Sequence, residues 1–146
     1  MMFSGLRGWL AGSRIVGEFS FLFEGALIWA LAGAALALAT PAPPFLASVS
    51  GPARLFFKTG IGFGAGWWGG LPWSLALTLA ARGHQPAPPV TTLTRITWIA
   101  VCGFVVVAVA ANRLGLAMIA SIGLAVLVAT LAARAALAWE ARRQFG

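Results

Sequence analysis

The glutamates are the residues of this sequence with the clearest capacity for chemistry, because a carboxylate can exchange protons or bind cations. There are three of them, Glu18, Glu24 and Glu140. Glu24 stands inside an apolar segment, where an ionisable side chain is costly and is by default a functional candidate. The alternative, which we favour, is structural: at roughly 7 Å below the segment boundary, counted at 1.5 Å per residue, the carboxylate reaches water or pairs with Arg14, Arg82 or Arg134. Glu24 is therefore our one candidate for a functional intramembrane acid.

The remaining reactive side chains form no catalytic or metal-binding pattern. One histidine, His84, cannot complete a zinc or bis-histidine haem site within one chain. Cys102 lies in an apolar segment and is expected to behave as a small apolar residue. Glu18 follows Arg14 by four positions, which predicts an exposed ion pair on one helix face, and Glu140 stands in a charged tail. We expect no catalytic residue, no metal, no cofactor and no enzymatic activity.

The composition indicates which elements position these side chains. Of 146 residues, 60% are hydrophobic and 9% are charged, whereas soluble domains carry about 25% charged residues. A chain of this size hides only roughly 70% of its unfolded surface on folding, so much apolar surface would stay exposed in water. A lipid bilayer is the simpler solvent. The net charge of +7 does not indicate nucleic acid, because the basic residues stand mostly singly at the edges of apolar segments.

Four apolar segments are long enough to cross a bilayer, which takes about 20 residues per helix. They cover about residues 19–39, 55–80, 94–111 and 114–135. Segment 3–14 separates its apolar residues from its arginines, which predicts a short amphipathic helix on the membrane surface; a frayed terminus is the alternative. The predicted fold class is all-α: a single integral membrane domain, formed by a bundle of four transmembrane helices with this short N-terminal amphipathic helix.

Proline placement supports these boundaries, because proline lacks a backbone N–H donor and disfavours helix in the residue before it. Only Pro72 lies inside a predicted span, and we expect it to kink that helix. The other seven prolines mark two linkers: Pro41, Pro43, Pro44, Pro52, Pro86, Pro88 and Pro89. Between the last two spans only Asn112 and Arg113 remain, with Gly115 nearby, which predicts a tight antiparallel hairpin.

The first span also has features of a secretory signal peptide. Arg7 and Arg14 precede an apolar run that ends in the small-residue sequence Ala-Leu-Ala at positions 37–39. The run is longer than the roughly 7–15 residues of a signal-peptide core, and it contains Glu24. We therefore interpret it as a transmembrane helix.

The basic residues predict the orientation, because cytoplasmic flanks collect positive charge. One side of the bilayer receives seven of the ten: Arg7, Arg14, Arg82, Arg95, Arg134, Arg142 and Arg143. The other side receives three: Arg54, Lys58 and Arg113. Both termini are therefore predicted to be cytoplasmic. A composition rich in alanine, glycine, leucine and arginine is typical of a GC-rich bacterial genome, which makes the bacterial inner membrane the expected location.

A ridge of small residues on the second span predicts helix packing. Gly62, Gly66, Gly70 and Ser74 recur every four residues, and we call these four the glycine ridge. In lipid, small residues allow the close backbone approach that drives helix association. We therefore expect a neighbouring helix or another protein to press on the ridge; the alternative is that the glycines only reflect base composition. Weaker small-residue series occur on the first span (Ala26, Ala30, Ala34) and the fourth span (Ala117, Ser121, Ala125, Ala129, Ala133).

Two tryptophans, Trp67 and Trp68, fall deep in the second span instead of near a segment end. An indole N–H in hydrocarbon requires an acceptor. At least one of the pair is thus predicted to face protein, a carbonyl freed by Pro72 or a bound lipid, and packing within the bundle without a ligand is the favoured alternative. The third span is rich in bulky valines, and we expect it to lie outermost.

Two functions are consistent with these observations. The first is a small accessory or scaffold subunit of a larger bacterial inner-membrane complex, with other integral membrane subunits and lipids as its partners and no nucleic acid. The second is a small homo-oligomeric transporter or channel with Glu24 as its coupling residue. The second is weaker because a transport pathway needs a hydrated lining, and the spans contain few polar residues.

Overall fold

The computed structural model describes residues 14–41, 44–46, 48–84 and 88–145 of the chain. Within these ranges the polypeptide forms α-helices and one 3₁₀ turn, and it has no β-strand. The long helices are α1 (Arg14–Ala39), α2 (Gly51–Arg82), α3 (Val90–Arg113) and α4 (Met118–Phe145). The all-α prediction is therefore confirmed for the described residues. The amphipathic helix predicted over 3–14 lies outside them, apart from Arg14, the first residue of α1.

The described prolines lie where helices begin or end, with one exception. Pro41 follows α1, and the 3₁₀ turn Pro44–Leu46 comes next along the chain. Pro52 stands in the first turn of α2, where a backbone N–H has no partner within the helix in any case. Pro89 directly precedes α3. The exception is Pro72, through which α2 continues.

A glycine ends α3 and sets the start of α4. Gly115 has a φ of +103°, a left-handed conformation that glycine adopts without strain. Its N–H donates to the Asn112 carbonyl at 3.1 Å, and the Leu116 N–H donates to the Ala111 carbonyl at 3.1 Å, which is the Schellman pattern of helix termination. This turn uses residues 114–117, so α4 begins at Met118 and not at residue 114, where the apolar run begins.

α1 packs against both α2 and α3. Gly33 and Gly25 of α1 lie opposite Gly62 and Ser74 of α2, so these two helices run antiparallel. α3 runs parallel to α1, and α4 packs mainly against α3.

The prediction that the third span lies outermost is wrong. α3 lies between α1 and α4. Of its most apolar 18-residue stretch, 39% is buried, against 22% for the corresponding stretch of α4. Its valines do face outward in part, since Val106 is exposed, but the opposite face of the helix is formed by Ala100, Phe104 and Ala108, which are buried. The bulky residues thus indicated one face of α3 and not the position of the whole helix.

Among the described residues, three helices are long and apolar enough to cross a membrane: residues 17–39, 90–113 and 118–143. Helices of this length and composition are typical of a membrane protein. α2 is not among the three, although it is the longest helix that the structure describes. Its glycines, tryptophans and prolines lower its mean hydropathy, so the crossing predicted for residues 55–80 stays a prediction.

The small-residue series on α4 forms the contact with α3. Ser121, Ala125, Ala129 and Ala133 are buried, and they recur every four residues on the face that α3 covers. Ala117, the first member of the series, precedes α4 and is exposed. Alanine and serine side chains let the two helices approach closely, as in other membrane bundles.

Candidate functional site

The glycine ridge lies directly against the backbone of α1. A Cβ atom placed on Gly66 would lie 2.7 Å from the Trp29 carbonyl carbon and 2.8 Å from the Ala30 Cα atom. One placed on Gly70 would lie 2.6 Å from Trp29 Cβ. Real Cβ atoms essentially never come within 3.0 Å of such neighbours, so hydrogen is the largest side chain that fits. The two helices therefore approach as closely as glycine permits.

Two further pairs extend this contact along both helices. Gly62 faces Gly33, and a Cβ atom on either residue would strike the backbone carbonyl of the other. Ser74 faces Gly25, and a Cβ atom on Gly25 would strike the Ser74 side chain. All four residues of the glycine ridge thus lie on one interface, and the helix that presses on them is α1 of the same chain.

Two polar atoms buried near this interface have no hydrogen-bond partner in the described part of the chain. They are the Ser74 hydroxyl oxygen and the Trp29 indole nitrogen. Leaving such a group buried and unpaired costs about 1–3 kcal/mol. Close helix packing is therefore achieved here at the expense of hydrogen bonding.

Aromatic rings from α1, α2 and α3 pack together beside the glycine ridge. The Trp29 ring lies edge-on to Trp73 at 5.0 Å and to Phe104 at 5.1 Å between ring centroids, a favoured arrangement for aromatic pairs. The Trp73 indole N–H donates to the Thr130 hydroxyl of α4 at 3.3 Å. We call the rings of Trp29, Trp73 and Phe104 the aromatic cluster. Trp73 and Thr130 were not among the residues expected to form a site, and a threonine within an apolar span is the one local signal that the sequence offers for this contact.

The two tryptophans selected from the sequence have different environments. Trp67 is half-buried, and its ring lies 6.3 Å from the Phe23 ring of α1. Trp68 is 73% exposed on the outer surface of α2. Packing within the bundle therefore applies to Trp67, whereas Trp68 faces the surroundings of this chain.

Glu18 forms an ion pair across the α1–α2 interface. Arg82 Nε donates to its carboxylate oxygens at 3.3 and 3.1 Å, and Arg82 Nη2 bonds to the same group. The expectation of an exposed Glu18 is wrong, since the residue is only 4% exposed. The hydrogen bond from Glu18, and then its negative charge, raise the pKa of the Arg82 guanidinium, which keeps this arginine charged at any physiological pH.

Glu24 lies on the outer surface of α1 and is exposed. Its carboxylate accepts a hydrogen bond from the Thr94 hydroxyl of α3 at 3.4 Å. Arg82, one of the arginines expected as its partner, pairs instead with Glu18. The structure thus separates the candidate intramembrane acid from the glycine ridge and from the aromatic cluster.

An open cleft of about 460 Å³ separates α2 from α4. Its inner end is formed by the aromatic cluster, and its rim carries Thr40 and Lys58. Between them the walls are small or aliphatic, formed by residues such as Ala65 and Gly69 of α2 and Ile122 of α4. We call this space the α2–α4 cleft. Glu24 does not line it. Such a cleft can accept an apolar group from the side of the bundle.

No protein-family model, curated protein or solved structure matches this chain.

The other candidates for chemistry lie apart from each other. His84 follows the end of α2 and its backbone N–H donates to the Ala81 carbonyl at 3.2 Å. Cys102 is exposed on α3. In the described ranges, three or more His, Cys, Asp or Glu side chains do not gather at any point where they would hold a metal ion.

Proposed function

We propose that this chain is a small accessory or scaffold subunit of a larger bacterial inner-membrane complex. The observation that carries the proposal is the contrast between its interior and its outer surface. Backbone contacts close the α1–α2 interface, so no hydrated passage runs between these helices. On the outside, α4 exposes long apolar side chains, among them Ile119, Leu127 and Leu131. In a membrane such a face is covered by lipid or by the helix of another subunit.

The proposal includes α2 as a fourth transmembrane helix. Its contacts with α1 run from Gly62 and Gly33 to the ion pair of Arg82 with Glu18. Because α2 packs along most of α1, and α1 is long and apolar enough to span the membrane, α2 would lie at the same depth in the bilayer. Because α2 is a continuous helix, its backbone N–H and C=O groups can be hydrogen-bonded within the helix, as a lipid environment requires.

The proposal also places both termini in the cytoplasm. The helix directions gather most of the described arginines at the end of the bundle that contains the start of α1 and the end of α4. Arg54, Lys58 and Arg113 lie at the other end. An excess of positive charge is typical of the cytoplasmic side.

A homo-oligomeric transporter is the second candidate, and the position of Glu24 favours it. The carboxylate belongs to a helix that can span the membrane, and it is exposed where a second copy would contact it. Against this candidate, the α2–α4 cleft is lined mainly by apolar side chains and does not include Glu24, whereas a transport pathway needs polar groups along its length.

Purification separates the two functions. The tagged chain is extracted from the membranes of its own host in a mild detergent, and intact-complex mass spectrometry gives the subunits. We expect other integral membrane proteins to copurify with the chain at a fixed stoichiometry. The Glu24→Gln variant should retain the same subunits. Glu140→Gln, which removes a carboxylate from the C-terminal part of α4, is the matched control. A homo-oligomer without other subunits, with proton or solute flux in liposomes that Glu24→Gln abolishes and Glu140→Gln preserves, would overturn the accessory role.

Site-specific photo-crosslinking identifies the surface that other subunits cover. A photoreactive amino acid at Leu131 reports on α4, and the same amino acid at Val106 reports on the outward face of α3; both residues are exposed. We expect crosslinks to another protein from Leu131 and mainly to lipid from Val106. Crosslinks to lipid alone from both positions would contradict docking through α4.

A further inference from the structure

The α2–α4 cleft has a polar end and an apolar end. At its rim, Lys58 Nζ donates to the Thr40 carbonyl at 2.8 Å. An ammonium group has two more N–H donors, and no carboxylate within the described ranges pairs with Lys58. At the other end the aromatic cluster closes the cleft. The rim therefore offers a positive charge to whatever occupies the apolar interior.

The dimensions of the cleft restrict its occupant. From Lys58 to Trp73, α2 rises by about 22 Å at 1.5 Å per residue, which exceeds half of the roughly 30 Å hydrocarbon thickness of a bilayer. Along this length the cleft is lined mainly by small and aliphatic side chains of α1, α2 and α4. A single extended hydrocarbon chain matches this length and these apolar walls.

We propose that the α2–α4 cleft holds one acyl chain of an anionic phospholipid whose headgroup binds Lys58. In a bilayer the chain gains little hydrophobic energy by leaving its neighbours, because lipid and cleft are equally apolar. A lipid fills the cleft because an empty space would forfeit dispersion contacts along its walls. Preference for an anionic headgroup comes from the Lys58 ammonium, since a basic residue near the membrane surface attracts anionic lipid by about 1 kcal/mol.

Two matched pairs of variants test the headgroup and the chain separately. Lys58→Gln removes the rim charge, and Arg113→Gln removes an exposed charge at the same end of the bundle but outside the cleft. Gly69→Leu fills the cleft from a position where an added Cβ meets no atom within 4 Å, and Gly64→Leu adds the same side chain to α2 at an equally open position outside the cleft. If Gly69→Leu does not fold, Ala65→Leu fills the same wall.

The measurement is native mass spectrometry of the full chain after release from vesicles that contain phosphatidylglycerol and phosphatidylethanolamine in equal amounts. We expect one bound lipid, with phosphatidylglycerol preferred roughly five-fold. Lys58→Gln should abolish that preference while Arg113→Gln preserves it. Gly69→Leu should reduce lipid retention about ten-fold or more, which corresponds to about 1.4 kcal/mol, while Gly64→Leu retains it.

Three results would overturn the inference. Equal retention of lipid by Gly69→Leu and Gly64→Leu would show that lipid binds outside the cleft. A phosphatidylglycerol preference that survives in Lys58→Gln would show that the rim charge does not select the headgroup. A dimer of this chain that Gly69→Leu disrupts would show that a second copy covers the cleft. Because the readout is bound lipid, each result is independent of whether other subunits copurify.

Discussion

Replacing Gly66 by alanine tests the contact between the glycine ridge and the backbone of α1. The added methyl group would lie 2.7 Å from the Trp29 carbonyl carbon and 2.8 Å from the Ala30 Cα atom. Both neighbours are backbone atoms of α1, so rotation of a side chain cannot relieve the overlap. α1 must instead move away from α2, which weakens the contacts at Gly62 and Gly70 as well. We expect Gly66→Ala to destabilise the bundle.

The magnitude follows from a comparison with Gly64→Ala on the same helix. A Cβ atom on Gly64 meets no atom within 4 Å, so this variant gains helix propensity, about 1 kcal/mol in water, without overlap. Gly66→Ala has the same gain and adds an overpacking cost of about 1–3 kcal/mol. The propensity gain cancels in the difference, so Gly66→Ala should be less stable than Gly64→Ala by about 1–3 kcal/mol.

Unfolding by a rising mole fraction of SDS in mild-detergent micelles, followed by circular dichroism, measures this difference. The wild-type chain and both variants are titrated under the same conditions, and the free energies are compared at one SDS fraction. Equal stability of the two variants, or a more stable Gly66→Ala, would show that α1 does not pack on the glycine ridge.

Three further substitutions probe the polar contacts of the bundle. Ser74→Ala removes a buried hydroxyl that has no partner among the described residues, so the SDS titration should show a gain of about 1 kcal/mol. Arg82→Gln takes away the hydrogen bonds that Glu18 receives from α2 and should lower stability because the Glu18 carboxylate stays buried. Trp73→Phe keeps the aromatic ring but loses the hydrogen bond to Thr130, which should cost about 0.6 kcal/mol, the average for such bonds in membrane helices.

Each of these substitutions has a control. Arg95→Gln removes an exposed arginine near the same end of the bundle and should leave stability unchanged; an equal loss would attribute the Arg82 effect to net charge. If Trp73 and Thr130 share a hydrogen bond, the double variant Trp73→Phe with Thr130→Val should lose less stability than the sum of the two single losses. Single losses that add in full would show that the bond does not contribute to stability. A loss of stability in Ser74→Ala would indicate that its hydroxyl has a partner.

Local patterns in the sequence predicted the long helices and the residues of α2 that form one helix–helix interface. Runs of apolar residues and the prolines between them place the helix ends to within about five residues, except for the end of α4, which was predicted near residue 135 and lies at Phe145. The four-residue spacing of Gly62, Gly66 and Gly70 requires them to share a helix face, and α1 lies on that face. Nothing in the spacing says which helix would be the neighbour, because that depends on how the whole bundle assembles.

The contacts that sequence analysis missed join residues far apart in the chain. Glu18 and Arg82 are separated by 64 positions, whereas local spacing pointed to Arg14. Trp73 and Thr130 are separated by 57 positions, and neither stands in a recognisable motif. The burial of Glu18 follows from the antiparallel arrangement of α1 and α2, which brings the end of one helix beside the start of the other. Such partners become visible only when helix order and direction are known.

The glycine contact between α1 and α2 also has an entropic consequence. Side chains that interlock at a helix interface lose rotamer freedom when they associate, by up to about 2 kcal/mol for the longest of them. Glycine has no rotamers to lose, so the Gly62–Gly33 contact forms without that cost. The contact between α1 and α2 therefore forms with little loss of side-chain freedom at these positions.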